Sequence, residues 1–373
     1  MRIRTIITAA AALTALSAAK ADCQIIYKQP GSSLLRFHYS DWSLKPTGGS
    51  KETLSQTATF LSGFIPIRDN FEARYEIVSG HNDLQTGAND AAMSGLGDLR
   101  LQVAHSFSQD RALLSAGLNL PTGKKELNVD DERSIIDFLA RDYLTVPMRR
   151  YGEGFGLNLQ AGAATTLGSL KCGLSAVYDH IGSYLPYEGY GKYDPGDALS
   201  LTATAEVASG KITYTGDIGF SLFGTDVFEG EDIYHQGGQF NARVTAARRG
   251  DRYTTSLGGQ MILRGRNKRY NLTDGTIDSQ LKQYGDEYDL FLRVAFLLGK
   301  SWNIGTMVGT RQIGASEEGL GRSSLLHCAL DVSRDLSRLI GVDLGVMYHT
   351  GSADGGAIDV GGLQMYGGLK VSY

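Results

Sequence analysis

The feature that most constrains this chain is a repeated run of roughly ten residues in which apolar and polar side chains alternate. In the run 339–348, Leu344 and Val346 fall on one face, whereas Asp343 and Gly345 fall on the other. Comparable runs occupy residues 99–107, 155–163, 199–207 and 288–296. A period of two predicts β-strands with one apolar face and one polar face.

Short and long connections alternate between these runs. Seven short turns lie near residues 68–70, 109–111, 167–169, 209–211, 250–251, 299–300 and 335–337. Eight long polar loops lie near residues 40–53, 80–95, 121–153, 182–196, 224–237, 266–284, 312–322 and 350–360. Together they predict sixteen strands, with fourteen as the alternative because the first strand, near residues 34–39, is weakly bounded. Short turns on one rim and long loops on the other are typical of bacterial outer-membrane barrels.

The composition of the two strand faces favours a membrane barrel. One face is apolar, and the other is rich in Gly, Ser, Thr, Asn and charged residues. A closed barrel pairs every backbone group without leaving a sheet edge, as a bilayer requires. We therefore predict an all-β fold, a transmembrane antiparallel up-and-down β-barrel with short periplasmic turns and long extracellular loops. A soluble extracellular β-protein is the alternative.

The first residues have the form of a targeting segment. Arg2 and Arg4 precede an apolar run at 5–19, and Ala19-Lys20-Ala21 matches a small-x-small cleavage site. We predict a signal peptide at 1–21, export through the periplasm, and one outer-membrane barrel domain at 22–373. Cleavage would leave 33 of the 36 basic residues against 40 acidic residues, a net charge of -7. This acidic balance argues against a nucleic-acid partner.

The C-terminal residues form a strand that ends in an aromatic side chain. Met365, Leu369, Val371 and Tyr373 share one face. This pattern resembles the C-terminal signature of outer-membrane barrels. The resemblance implies that the barrel-assembly machinery recognises this strand and that the mature protein contacts outer-membrane lipid.

A second resemblance involves two short motifs, Ser94-Gly-Leu-Gly-Asp98-Leu and Leu118-Asn-Leu-Pro121-Thr-Gly-Lys124. Together they resemble a hairpin of the transporter-like outer-membrane barrels associated with the phenol meta-degradation pathway. The resemblance implies uptake or export of small molecules, aromatic or apolar ones among them. From the residues alone, Gly95 and Gly97 equally permit close packing or a bend, and Pro121 can simply end a strand.

Charged residues on the polar strand faces are the first candidates for lining a pore. By alternation they are Glu72, Arg74, Glu76, Asp98, Arg100, Glu206, Asp217, Arg243, Arg264, Asp289, Arg293 and Lys370. Such groups set ion selectivity in a channel. The alternative is that they pair across neighbouring strands and fill a wet interior. Because both signs occur, neither anions nor cations are clearly favoured.

The longest loop, 121–153, is the second candidate site. Acidic residues at 130–132 precede apolar side chains at helical spacing, which predicts an amphipathic helix from Glu132 to Arg141. We predict that the helix enters the barrel mouth and narrows it. The constriction residues would be Ile135, Phe138, Leu139 and Tyr143. The alternative is a surface helix packed on other loops. Nearby, Met148-Arg149-Arg150 would contact lipopolysaccharide or form a solvated cluster.

Other loop residues suggest weaker hypotheses. Tyr184, Tyr187, Tyr190 and Tyr193 would stack on sugars or aromatic solutes, or simply stabilise their loop. The seven histidines are scattered, and neither H-E-x-x-H nor G-x-S-x-G occurs. We therefore predict no catalytic residue, metal, cofactor or enzymatic activity. A rim hydrolase is the remaining enzyme hypothesis, with His81 beside Asp83 or Asp90, or His235 beside Asp226 or Asp232.

The favoured function is an outer-membrane channel for passive or facilitated diffusion of small molecules. At about sixteen strands, a barrel is wide enough for an aqueous path unless loops fill it. The alternative is a surface-interaction protein or adhesin that acts through loops 121–153 and 182–196.

Overall fold

The computed structural model describes residues 30–87, 89–108, 111–130, 132–271, 275–299 and 301–373. The predicted signal peptide lies outside the described residues. The strands in this part of the chain are β1 (Ser32–Pro46), β2 (Glu52–Arg68), β3 (Phe71–Thr86), β4 (Asn89–Leu96), β5 (Leu99–Phe107), β6 (Ala112–Leu120), β7 (Gly156–Leu167), β8 (Leu170–Ile181), β9 (Tyr193–Asp194), β10 (Ala198–Ser209), β11 (Ile212–Phe223), β12 (Thr225–Phe228), β13 (Glu231–His235), β14 (Gln239–Arg249), β15 (Tyr253–Arg264), β16 (Asn267–Tyr270), β17 (Ile277–Leu281), β18 (Glu287–Leu298), β19 (Trp302–Ile313), β20 (Ser323–Asp335), β21 (Ile340–Ala353) and β22 (Ile358–Ser372). One α-helix, α1 (Glu132–Leu139), and a 3-10 turn (Asp354–Gly356) complete the described elements.

The main sheet closes on itself as an antiparallel barrel. β22 pairs with β1 along its whole length, from Ser372 opposite Ser32 to Ile358 opposite Pro46. β4 and β5 follow each other along β3 and act as one interrupted strand. The described residues therefore form a sixteen-stranded barrel, which confirms the favoured count over fourteen.

The strand register aligns outward-facing residues with outward-facing residues, and inward with inward, from each strand to the next. Leu290 and Leu344 point outward, with 60% and 62% of their surfaces exposed. Gln56 and Asn82 lie on the opposite face and are fully buried. The predicted alternation is thus confirmed: the exterior is apolar, as lipid contact requires, and the backbone groups are paired between neighbouring strands.

The barrel strands extend further at the long-loop rim than the sequence pattern indicates. The predictions of loops at 40–53 and 80–95 are wrong, because β1, β2, β3 and β4 continue through most of these ranges. At this level the alternation is inverted. Asp41 and Asp83 point outward, whereas Trp42 and Leu84 are buried inside. At this level the outward side chains are polar, and the inward side chains are apolar and buried within the barrel.

A second sheet is built from three of the predicted long loops. Five short strands, β9, β12, β13, β16 and β17, pair in one antiparallel sheet in the described part of the chain. They come from loops 182–196, 224–237 and 266–284, so much of the long-loop rim is ordered by hydrogen bonds between loops. No helix among the described residues is long and apolar enough to cross a bilayer.

Candidate pore constriction and mouth cavity

Loop 121–153 contains the predicted amphipathic helix. Glu132 lies in the first turn of the helix, where the helix dipole stabilises a carboxylate. The Glu132 Oε2 accepts the Asn128 N–H at 2.8 Å. Ile135, Phe138 and Leu139 share one face and are at most 2% exposed. The helix ends at Leu139, two residues before the predicted Arg141. Its apolar face is therefore completely packed against other parts of the protein.

The partner of this apolar face is the lumen side of the barrel. The strand residues in the buried cluster are Trp42, Leu44, Leu54, Ala58, Leu84, Met93, Ile313, Leu325, Ala353 and Val360. They come from β1–β4 and β19–β22, which are neighbours around the barrel. We call the lumen face of these strands the covered half. Ile135, Phe138, Leu139 and Tyr143 all lie in this cluster, and each large buried side chain stabilises it by about 1.5–3 kcal/mol.

Polar side chains on the same strands fix the backbone of loop 121–153. The Gln56 amide accepts the Met148 N–H at 2.9 Å and donates to the Met148 carbonyl at 2.7 Å. Arg311 donates to the Asp142 carbonyl at 2.9 Å, and Asn82 donates to the Tyr151 hydroxyl. These side chains come from β2, β19 and β3, so the loop is attached at several points around the covered half.

The two ends of loop 121–153 meet at Asp98. Its Oδ1 accepts the Gly123 N–H at 2.8 Å, and its Oδ2 accepts the Glu153 N–H at 2.7 Å and the Asn119 amide at 3.0 Å. A Cβ on Gly123 would lie 2.2 Å from the Tyr151 carbonyl oxygen, so glycine is required there. We call this arrangement the Asp98 clasp.

The clasp joins the two motifs that form the second family resemblance. The Leu99 N–H donates to Thr122 Oγ1 at 2.9 Å, and the Lys124 N–H donates to the Leu96 carbonyl at 3.1 Å. A Cβ on Gly95 would lie 2.9 Å from the Tyr151 ring, which favours close packing as the reason for this glycine. The association with phenol degradation stays a prediction.

Eleven of the twelve predicted pore-lining charges lie on the lumen face by strand register, and Asp98 lies between β4 and β5 at the clasp. Their role in lining a pore stays a prediction. Five ion pairs involve them: Glu72–Arg74, Glu76–Arg100, Glu206–Lys171, Arg264–Glu287 and Arg293–Asp331, at N–O distances from 2.7 to 3.7 Å. The remaining cross-strand neighbours are Asp217 with Arg243, Asp289 with Arg311, and Lys370 with Gly341. The geometry therefore favours mutual pairing of most of these charges.

The lumen face of β5–β8, β10, β11, β14 and β15 lies outside the buried cluster, and we call it the open half. A mouth cavity of about 680 Å³ lies between loop 121–153 and this side. It shares Glu153, Asp179 and Ile181 with a cavity of about 490 Å³. That cavity shares Gln160 with a third, of about 310 Å³. The three cavities are neighbours along the open half.

The mouth cavity combines tyrosine rings with charged groups. Tyr184 and Tyr193 pack edge to face, with ring centroids 5.6 Å apart. The Tyr193 hydroxyl donates to Asp226 at 2.5 Å, and Arg150 pairs with Glu153. Burial raises the pKa of Tyr184 to about 12, so its hydroxyl stays protonated and uncharged near neutral pH.

The predicted tyrosine strip is divided between the cavity and the exterior. Tyr184, Tyr187 and Tyr193 line the mouth cavity, whereas Tyr190 is exposed and packs its ring edge to face with Tyr187. The strip could be found in the sequence, but its opposite wall could not. That wall consists of residues such as Tyr151 and Arg150, which loop 121–153 brings there from inside the barrel.

The basic cluster at 148–150 faces the protein interior more than the sequence suggests. Met148 is buried, and Arg149 donates to the carbonyls of Leu139 and Leu144. Arg150 has an exposed side chain but pairs with Glu153. These contacts engage the cluster within loop 121–153, and its contact with lipopolysaccharide stays a prediction.

Of the two hypothesised rim histidines, His81 lies beside Asp83 as predicted, whereas His235 contacts Thr225. His81 Nε2 lies 3.0 Å from Asp83, and its Nδ1 lies 2.6 Å from Ser94 Oγ, a cross-strand neighbour that the sequence gave no reason to select. This group points outward, away from the lumen. His235 contacts Thr225, whereas Asp226 binds Tyr193. In the described ranges, no group of three or more His, Cys, Asp and Glu residues could hold a metal ion.

No protein-family model and no curated protein matches this sequence. Among solved structures, the CymD monoaromatic hydrocarbon channel is 12% identical with a TM-score of 0.47, covering 93% of this chain and 89% of that chain. OccAB4 from Acinetobacter baumannii is 9% identical with a TM-score of 0.47, covering 92% and 99%. The outer membrane protein OprD from Pseudomonas aeruginosa is 10% identical with a TM-score of 0.46, covering 91% and 94%.

Proposed function

We propose that this protein is a bacterial outer-membrane channel through which small molecules diffuse passively. The observation that supports this most directly is the division of the lumen. Loop 121–153 packs on the covered half, and the three neighbouring cavities follow the open half. A loop that packs against one side of a barrel lumen narrows the passage without filling it. The tyrosines at the mouth would admit a ring-shaped solute, aromatic ones included.

Ion conductance in planar lipid bilayers tests this proposal. Purified protein should give discrete, steady current steps. Gly117→Trp should reduce the step size, because Gly117 lines the second cavity on the open half. The matched control is Gly361→Trp on the outward face of β22, where a Cβ would meet nothing within 4 Å; its steps should be unchanged. No conductance, together with no solute uptake by proteoliposomes, would refute the channel.

Removal of α1 tests the role of loop 121–153 as a constriction. A variant lacking Glu132 to Arg141 should give larger current steps, because Ile135, Phe138 and Leu139 no longer occupy the lumen. Steps of unchanged size, from a variant that still folds as a barrel, would show that the helix does not narrow the path.

A second candidate function is surface recognition through the second sheet, which consists of β9, β12, β13, β16 and β17. Five strands from three different loops pair there, which gives the rim a defined shape. Loop 121–153, by contrast, packs the apolar face of α1 on the covered half. Cells that carry the protein can be labelled and tested for binding to host or bacterial surfaces. Their binding should be compared with that of cells whose variant lacks β12 and β13.

The cellular setting is part of the proposal. Recognition of the C-terminal strand by the barrel-assembly machinery would place the closing residues next to β1, where the Tyr373 N–H donates to the Gly31 carbonyl at 2.9 Å. Lipid and lipopolysaccharide would then surround the apolar exterior.

A further inference from the structure

Neutral polar side chains predominate along the open half of the lumen. Along the second and third cavities, its lumen-facing side chains are mainly amides and hydroxyls, among them Asn119, Asn158, Gln160, Ser175, Thr202 and Thr204. Among the described residues lining these cavities, the large aliphatic side chains on the lumen face are Leu113, Val177 and Ile181. A solute on this path therefore meets successive neutral hydrogen-bond donors and acceptors.

The basic side chains beside this path are compensated locally. Lys171 lies 2.8 Å from Glu206, and Arg100 lies 3.7 Å from Glu76. Asp179 is the exception among the described residues, because it accepts the neutral Asn158 amide at 2.5 Å and forms no ion pair. An anion entering the path would lose hydration without gaining an unpaired opposite charge, and a cation would gain the Asp179 carboxylate alone. A hydrocarbon would displace water from the amides without replacing its hydrogen bonds, which is also unfavourable.

The mouth cavity presents the complementary features for a hydroxylated ring. The faces of Tyr184 and Tyr193 offer apolar contact to the C–H faces of such a ring. Arg150, Glu153 and Asp226 supply planar groups that bond to hydroxyls at its edge. A monosaccharide or disaccharide has this combination of apolar faces and polar edges, and it carries no charge.

We propose that the solutes of this channel are uncharged, hydroxylated ring compounds of the sugar class, bound at the mouth by Tyr184 and Tyr193 and conducted along the amide and hydroxyl wall of the open half. This inference rests on the proposed channel function. It differs from the aromatic or apolar solutes that the family resemblance implies, because the wall below the mouth is polar.

Proteoliposome swelling distinguishes solute classes of equal size. Glucose, sodium gluconate and glucosamine hydrochloride should be compared at matched osmolarity. We expect glucose to enter about threefold faster than either charged compound, a difference of the size of one hydrogen bond. If gluconate or glucosamine enters as fast as glucose while potassium chloride conductance is intact, the solute class is wrong and the channel stands. If there is neither conductance nor uptake, the channel itself is refuted.

Variants of the wall provide the second test. The double change Asn158→Leu with Gln160→Leu should slow glucose entry about tenfold, by removing two hydrogen-bonding amides, with little change in potassium chloride conductance. Asn303→Leu on β19, nearly opposite in the barrel, is the matched control and should leave glucose entry unchanged. Gln160→Leu alone should give an intermediate rate if the double variant folds poorly. Equal glucose entry in the wild type and both wall variants would overturn the proposal.

The mouth is tested separately by current interruption with maltose. In wild-type channels, maltose should cause brief, concentration-dependent closures. Tyr184→Ala should shorten them about tenfold, since loss of one stacking side chain weakens binding by roughly 1.4 kcal/mol. Closures of equal duration in this variant would remove Tyr184 from the binding site and contradict the proposed mouth.

Discussion

At the level of single residues, the Asp98 carboxylate connects both ends of loop 121–153. It accepts the N–H groups of Gly123 and Glu153, and the Asn119 side chain donates to it as well. Hydrogen bonds to a charged acceptor are stronger than neutral ones. Asp98 therefore holds the base of the loop closed, so that the intervening residues project into the barrel.

Asp98→Ala should loosen loop 121–153. Loss of these charge-assisted hydrogen bonds should cost on the order of 3 kcal/mol in loop docking. Limited proteolysis in detergent should then cut the loop faster, and single-channel currents should become noisier. Asp217→Ala, which removes a lumen charge far from the loop, is the control and should do neither. Equal protease resistance in the Asp98 variant and the wild type would exclude the clasp.

The sequence predicted a lumen charge at Asp98 but not its partners. Period-two alternation places the other eleven charges on the lumen face, because backbone geometry alone determines that placement. Asp98 lies between β4 and β5, and its hydrogen bonds to Gly123 and Glu153 depend on the path of a long loop. No local pattern encodes such a path, so the sequence could not predict that Asp98 anchors the loop.

At the level of elements, loop 121–153 explains why the strand pattern inverts at the mouth. Trp42 and Leu84 face inward there because Phe138 and its neighbours cover them, whereas Asp41 and Asp83 face outward into water. The sequence predicted an amphipathic helix but not what its apolar face covers. The apolar positions of β1 and β3 were therefore mistaken for loop.

Phe138→Ala should undock α1 from the covered half. Truncating a buried phenylalanine costs about 3–5 kcal/mol, most of which would appear as weaker docking of the loop. Hydrogen exchange of the α1 amides should accelerate, while the barrel strands remain protected. Asp137→Ala changes an exposed neighbour on the same helix and should alter exchange little. Faster exchange throughout the barrel would mean that the loop is needed for the fold itself.

At the level of the whole molecule, closure depends on the pairing of the first and last strands. Deleting residues 369–373 removes the cross-strand pairs from Leu35–Leu369 to Ser32–Ser372. Unpaired backbone groups in a bilayer cost several kcal/mol each, so the truncated chain should not reach the compact, heat-modifiable form on gels after refolding. Deleting residues 316–320 from the loop between β19 and β20 is the length-matched control and should still fold. Normal heat-modifiability of the truncated chain would contradict closure by β22.

The whole barrel combines a lumen half that the chain itself covers with a half that stays accessible. The sequence contained the charges, the helix and the strand number, but not this asymmetry. It arises because Leu44, Leu54, Leu325 and Val360 come from strands far apart in sequence and become neighbours only when β22 meets β1.

Cysteine accessibility in the open channel tests this division most directly. In a background with Cys23, Cys172 and Cys328 replaced by Ser, we compare Asn158→Cys on the open half with Leu54→Cys on the covered half, using a charged methanethiosulfonate reagent during conductance recording. The Asn158 variant should react and lose current. The Leu54 variant should be inert until Glu132 to Arg141 are also deleted. Equal reaction at both positions with loop 121–153 intact would contradict the division of the lumen.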